Sequence, residues 1–141
     1  VPSKERHLRD RTLLIPNWDS ISLRFLIAAF QKEGIDARLL DENEVCIQKS
    51  LRYNTGQCIP LNIIAQEFID YVENHDLDPA KTMLWMINSS MACNLALFPY
   101  HLKNIFQASL MKIDPICCGV PRHFRSMQKA LNDNCLHYEV K

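Results

Sequence analysis

Glycine is scarce in this chain: three residues in 141, at Gly34, Gly56 and Gly119. A Gly-x-Gly-x-x-Gly turn or a P-loop needs several glycines close together, because only then do backbone amides approach phosphate without a Cβ in the way. Neither is present, so autonomous nucleotide-binding domains of those types are excluded. Charge of one sign is also missing, with 16 basic against 16 acidic side chains and a pI near 7.1. Without a diffuse positive field the chain is not expected to bind nucleic acid. No apolar run reaches the roughly 18 residues of a membrane span, and no signal-peptide core opens the sequence. The chain therefore reads as soluble and cytoplasmic, with no membrane partner. A Gly-x-Ser-x-Gly elbow, a His-Glu-x-x-His helix, a Ser-His-Asp order and paired carboxylates are all absent, so a stand-alone hydrolase is a poor reading.

What the chain does have is apolar content enough for a core, 48% of residues, and six cysteines. Six thiols in a secreted chain of this size would suggest three bridges, but here the default is free thiols in a reducing compartment. Cys46, Cys58, Cys93, Cys117, Cys118 and Cys135 contain no Cys-x-x-Cys, so a zinc ribbon or thioredoxin-type motif is unsupported. Any shared metal would have to be assembled by the fold.

Residues 1–11 are charge-dense without apolar period and read as a linker, and residues 12–141 as a single α/β domain, a fragment of a longer multidomain protein. Residues 12–15 form a buried strand ended by Pro16. Asn17-Trp18-Asp19-Ser20 offers N-cap chemistry for a helix whose core face is Leu23, Leu26, Ile27 and Phe30, with Gly34 at its C-cap. Residues 37–40 give a second strand, making a β-α-β unit of a parallel sheet. A helical turn is expected over 44–51. A second good helix starts at Pro60 with Leu61, Ile64, Phe68, Tyr71 and Val72 on one face. Residues 82–87, Thr-Met-Leu-Trp-Met-Ile, are apolar on both faces, as a central parallel strand is.

A third helix carries Leu95, Phe98, Leu102, Ile105 and Phe106, with Pro99 near its first turn. A weak strand at 110–113 or 116–118, a fourth helix with Phe124, Met127 and Leu131, and an edge strand at 137–140 complete the outline. The expected architecture is an open, mostly parallel α/β sheet of four or five strands with helices on both faces, a Rossmann-like three-layer arrangement.

Placed on that outline, Cys58 lies just before a helix, Cys93 between the central strand and its helix, and Cys117 and Cys118 just before the fourth helix. Strand-to-helix loops of a parallel sheet share its carboxyl edge, where ligands bind at the topological switch point. Helix N-termini favour thiolate, the form that ligates metal. These four thiols are the candidate metal ligands, for an iron-sulfur cluster. The plainer reading is that cysteine is a small, commonly buried hydrophobe.

Leu14-Ile15-Pro16, Gly56-Gln57-Cys58-Ile59-Pro60-Leu61 and Met91-Ala92-Cys93-Asn94 resemble, in order and spacing, a domain of the large activator proteins of 2-hydroxyacyl-CoA dehydratases. That domain lies downstream of sugar-kinase-like ATPase modules and is related to the dehydratase subunits. Its pattern is an Ile-Pro after the first strand, a Cys-x-Pro before the second main helix, and a Gly-Pro-Cys-Arg-like segment after the central strand. The resemblance covers roughly residues 12–106. It implies a non-ATPase accessory domain of bacterial anaerobic metabolism, partnered by the other domains of its parent and by a dehydratase component, with Cys58 and Cys93 holding a 4Fe-4S cluster. The chain departs from the pattern where Met91-Ala92-Cys93-Asn94 replaces the Gly-Pro turn and the arginine, which removes a cation suited to a cluster or a CoA phosphate.

Asn17 and Trp18 stand in the first strand-to-helix loop as candidate pocket-lining residues, against the plainer reading of a packed Trp and a capping Asp19. His101 is a candidate fourth ligand or proton relay, against a solvated surface histidine. Arg122, in Arg122-His123-Phe124-Arg125, is a candidate contact for an acyl-CoA phosphate. Two other functions fit the same outline: a cofactor-free α/β interaction module, and a small-molecule binding domain lined by apolar thiols. Catalysis by the isolated domain is not expected.

Overall fold

The computed structural model describes residues 8–41, 43–53, 58–88, 98–109, 117–119 and 135–136, and for 87–88, 117–119 and 135–136 the backbone course alone. A 3-10 turn at Leu8–Asp10 precedes β1 (Thr12–Pro16), α1 (Ser20–Lys32), β2 (Asp36–Leu40), α2 (Glu44–Ser50), α3 (Ile59–Asn74), β3 (Thr82–Leu84), β4 (Ile87–Asn88), α4 (Phe98–Ala108), β5 (Cys117–Gly119) and β6 (Cys135–Leu136). Leu8 is buried with the core, upstream of the boundary expected at Thr12.

Strand β1 is central, paired in parallel with β2 (Leu14 opposite Arg38) and with β3 (Leu14 opposite Leu84), giving the order β2-β1-β3. A strand covered on both faces must be apolar without alternation, and Leu13, Leu14 and Ile15 are all essentially inaccessible. Their side chains divide by the two-residue period of a strand. Leu13 and Ile15 join Leu23, Ile27 and Phe30 of α1 on one face. Leu14 joins Leu40, Leu84, Leu61, Phe68, Leu102 and Phe106 under α3 and α4 on the other. The α/β class and the helices on both faces therefore follow the sequence expectation.

Strand number and continuity differ from it. The parallel sheet has three strands among the described residues, not four or five, and a second three-stranded sheet is ordered β4-β5-β6. The run 82–87, expected as one strand, contributes β3 to the first sheet and β4 to the second, with Trp85-Met86 between them. The Trp85 amide still donates to the Leu14 carbonyl at 2.8 Å, one step past the β1–β3 ladder. A continuous apolar run carries no periodic mark of where it changes partners. In the second sheet β5 pairs in parallel with β4 and in antiparallel with β6, so its last strand is 135–136 and runs against its neighbour. The expected strand at 137–140 and the expected fourth helix at Phe124, Met127 and Leu131 lie outside the described residues.

Helix boundaries follow local chemistry. Asp19, in extended conformation, caps α1 by accepting from the Ile21 amide, and Asn43 caps α2 by accepting from the Cys46 amide at 2.9 Å. Helix α1 ends in a Schellman motif: Ile35 N–H donates to Phe30 O, Gly34 N–H to Gln31 O, and Gly34 takes the left-handed φ of 79° that the motif requires. The end of α3 repeats this, with Leu77 N–H donating to Val72 O and Asp76 N–H to Glu73 O, but a non-glycine, Asp76, holds the positive φ of 48°.

Candidate functional site

The connection β1-α1-β2 packs on one face of the sheet and β2-α2-α3-β3 on the other, while β3 lies on the opposite side of β1 from β2. The chain thus reverses its winding direction beside β1, and the crevice at the carboxyl ends of β1 and β3 is the topological switch point. Asn17, Trp18 and Asp19 follow β1 there, Asp41 and Asn43 follow β2, and Trp85 and Met86 follow β3. Helix α3 returns toward the start of β3, which sets its first turn, and with it Cys58, at the same carboxyl end.

Of the two candidate pocket-lining residues, Asn17 spends its amide on the fold: Nδ2 donates to Asp41 Oδ1 at 3.3 Å, tying the loop after β1 to the loop after β2. Trp18 is 42% exposed and remains open to solvent. Asp19 is held below the usual carboxylate range, first by the Ser22 hydroxyl and then by the Ile21 amide, consistent with its capping role.

Cys58 is half-buried, packs against the α3/α4 core, and occupies the N-cap position of α3 without spending its thiol on a capping hydrogen bond. Pro60 sits in the first turn, as the sequence requires. Cys46 is different. It is fully buried in α2, with Sγ 3.8 Å from the Ile63 carbonyl, and lines the contact with α3. Cys117 and Cys118 lie within β5, at the second of the two strand positions expected from the sequence, with Cys118 opposite Ile87 on one side and Cys135 on the other. Cys93 and Arg122 lie outside the described residues. Among the described residues no group of three or more His, Cys, Asp or Glu is arranged to hold a metal ion, and of the four candidate thiols Cys58 is the one whose side chain is described.

Two residues near the helix starts gain interest from their surroundings. Among the described residues, Asn62 Oδ1 and His101 Nε2 are buried without a hydrogen-bond partner. Asn62 follows Cys58 by one helical turn and is 5% exposed; its Nδ2 donates to the Tyr53 carbonyl at 3.4 Å. It heads a polar row on α3. Gln66 accepts from the Tyr53 hydroxyl at 3.0 Å and donates to Asp70 Oδ1 at 2.7 Å, and Lys49 reaches the same oxygen at 2.9 Å. Asn62 is not among the residues the sequence singles out, although the i, i+4 row Asn62, Gln66, Asp70 along α3 is its signal. His101, in the first turn of α4, is half-buried, and burial pushes its pKa below the usual 6.5. Its imidazole is not the solvated one of the plainer reading.

The opposite edge of the sheet holds a cleft of about 370 Å³ lined by Asp10, Arg11, Thr12, Asp36, Leu77, Asp78, Lys81 and Thr82. Much of its polarity is committed to the fold. Asp36 takes Thr12 Oγ1 at 2.9 Å and a bidentate Arg38 at 2.9 and 2.8 Å; Asp78 accepts from the Ala80 amide at 2.9 Å, and Arg11 donates to the Ala80 carbonyl at 3.4 Å. Among the described residues, the buried polar side-chain atoms without a partner are at the starts of α3 and α4, not here. No helix among them is long and apolar enough to cross a membrane. No family model, curated protein or solved structure matches the chain.

Proposed function

We propose that this chain is an accessory domain of the 2-hydroxyacyl-CoA dehydratase-activator type, whose working site is the carboxyl-end crevice beside β1 and β3. The observation that carries this reading is Cys58: a thiol at the head of α3, at the switch point, left free of capping duty by the fold. The head of a helix carries the positive end of its dipole, which suits an anionic ligand set. In this reading Cys58 and Cys93 are thiolate ligands of a 4Fe-4S cluster, with Cys117 or Cys118 completing the set. A bound cluster would supply one-electron chemistry at low potential. The protein's part is to hold its thiolates and to limit water around them. Acyl-CoA and a dehydratase component are the partners this role implies, with Arg122 as the proposed phosphate contact.

Anaerobic reconstitution with iron and sulfide tests the proposal. Brown protein with visible absorbance is expected, lost in Cys58→Ser and in Cys93→Ser and retained in Cys46→Ala, because Cys46 is walled into the α2/α3 contact. Colourless protein after reconstitution, or colour indifferent to both serine variants, rejects the cluster. A second reading, a cofactor-free interaction module, is favoured by the exposed apolar side of α1.

A further inference from the structure

The second sheet is held by very short ladders. Strand β5 meets β4 over two register pairs and β6 over two more, well under the usual strand length of about five or six residues. So few backbone hydrogen bonds specify register weakly, and a slip of one residue moves every residue of a strand to the other face.

The register that is present brings two thiol-bearing positions together. Cys118 of β5 stands directly opposite Cys135 of β6 in the antiparallel pair, while Cys117 stands opposite Leu136. Directly opposed residues share one face of a sheet, with Cα atoms about 4.5 or 5.5 Å apart according to the kind of pair they form. Both values fall inside the roughly 4.4–6.8 Å that a disulfide spans. Opposed Cβ atoms are about 4.5–5.5 Å apart, against roughly 3.5–4.5 Å in a bridge, a closing movement that so short a ladder permits. Successive residues alternate faces, so Cys117 belongs to the other face of β5. Of the remaining described cysteines, Cys46 is walled into the α2/α3 contact and Cys58 heads α3.

We propose that Cys118 and Cys135 are a dithiol–disulfide pair, a redox site that pins β6 to β5 when oxidised and leaves the pairing to its hydrogen bonds when reduced. The oxidant is a low-molecular-weight disulfide, for which oxidised glutathione is the probe. One protein thiolate attacks a sulfur of the small disulfide, forming a mixed disulfide and expelling one small thiolate. The second protein thiolate then attacks the protein sulfur of that mixed disulfide, closing the bond between Cys118 and Cys135 and expelling the other small thiolate. Two electrons and two protons pass from the protein pair to the small disulfide, which leaves as two thiols. The pair does not depend on the cluster reading, and it separates Cys118 from Cys117, which stays a thiol.

The test equilibrates the folded chain with glutathione buffers of stepped oxidised-to-reduced ratio, quenches by alkylation and maps the tryptic peptides by mass spectrometry. In oxidising buffer the expected product is peptide 113–122 linked to peptide 130–141, with fragmentation between Cys117 and Cys118 assigning the bond to Cys118. The link disappears with dithiothreitol and is lost in Cys118→Ser and in Cys135→Ser, while Cys117→Ser retains it, the fold of each variant being checked by circular dichroism. In denaturing urea the preference for Cys118 over Cys117 vanishes, because without the sheet nothing distinguishes neighbours in sequence. Glutathione held singly in place of a link, no link at all in oxidising buffer, a link to another cysteine, or a link shared evenly between Cys117 and Cys118 in the folded parent overturns the proposal.

Discussion

At the scale of single residues, the two edges of the parallel sheet differ in how their polar groups are spent. Asp36, at the edge where β1 and β2 begin, has its pKa lowered chiefly by its Arg38 hydrogen bond, with Thr12 adding to it. His101 has no partner for Nε2, and desolvation lowers its pKa. Both shifts have the same sign of linkage: the unfolded chain binds the proton more tightly, so each group's contribution is present above its unfolded pKa and is lost as pH falls toward its folded pKa. The windows differ. His101 acts below about 6.5, Asp36 below about 3.9. Urea midpoints measured between about pH 7 and pH 5 should therefore decline in the parent, and decline less in His101→Gln, whereas Asp36→Asn alters the slope only in stronger acid. An unchanged slope in His101→Gln would mean that the imidazole is solvated after all.

At the scale of elements, much was legible in the sequence and the reasons are local. Asp19 before an apolar period, Pro60 in a first turn and Gly34 after a last turn each carry a stereochemical requirement in one residue, so α1, its C-cap and the start of α3 were readable directly. Helix α2 was foreseen as no more than a helical turn over 44–51, because its buried side is held by Cys46 and Ser50 and not by a long apolar stripe. The break at Trp85-Met86 was not legible, since it depends on partners far along the chain, whereas the strand at Cys117 and Cys118 is the second of the two placements, 110–113 or 116–118, that the sequence offers. Cys58 was found because Pro60 fixes the helix start beside it. Asn62 was missed because a polar residue in a helix ordinarily faces water, and its burial under Tyr53 is a tertiary fact.

The two Schellman ends give a matched pair of expectations at this same scale. Gly34 has nothing within 4 Å of where a Cβ would stand, so Gly34→Ala meets no clash and costs only the left-handed backbone. That cost is about 1 kcal/mol. Asp76 already bears such a cost at φ 48°, so Asp76→Gly should stabilise by roughly 0.5 kcal/mol after the larger entropy of the unfolded glycine chain is counted. Denaturant midpoints moving in opposite directions for the two variants would establish that both helix ends are governed by backbone conformation.

At the scale of the whole molecule, a sheet wound in two directions puts a thiol, an aromatic and a helix start at one edge and commits much of the charge at the other to internal contacts. The overall balance bears on association as well as on partners. With 16 charges of each sign and five histidines, the chain carries no net field at neutral pH to keep copies apart. The exposed apolar side chains Trp18, Ile21 and Phe25 are then free to act at short range. Solubility, read as the precipitant concentration at half-precipitation, should pass through a minimum near the pI of about 7.1. It should rise as the pH is taken below the pI and the chain gains net positive charge, to which His101 contributes less because burial opposes its charge. Phe25→Asp should raise solubility at the minimum by removing an exposed aromatic and adding a charge, and Phe25→Ser separates the two effects. If Phe25→Ser recovers most of the gain, apolar contact through α1 limits solubility; if only Phe25→Asp does, the absence of net charge is the cause.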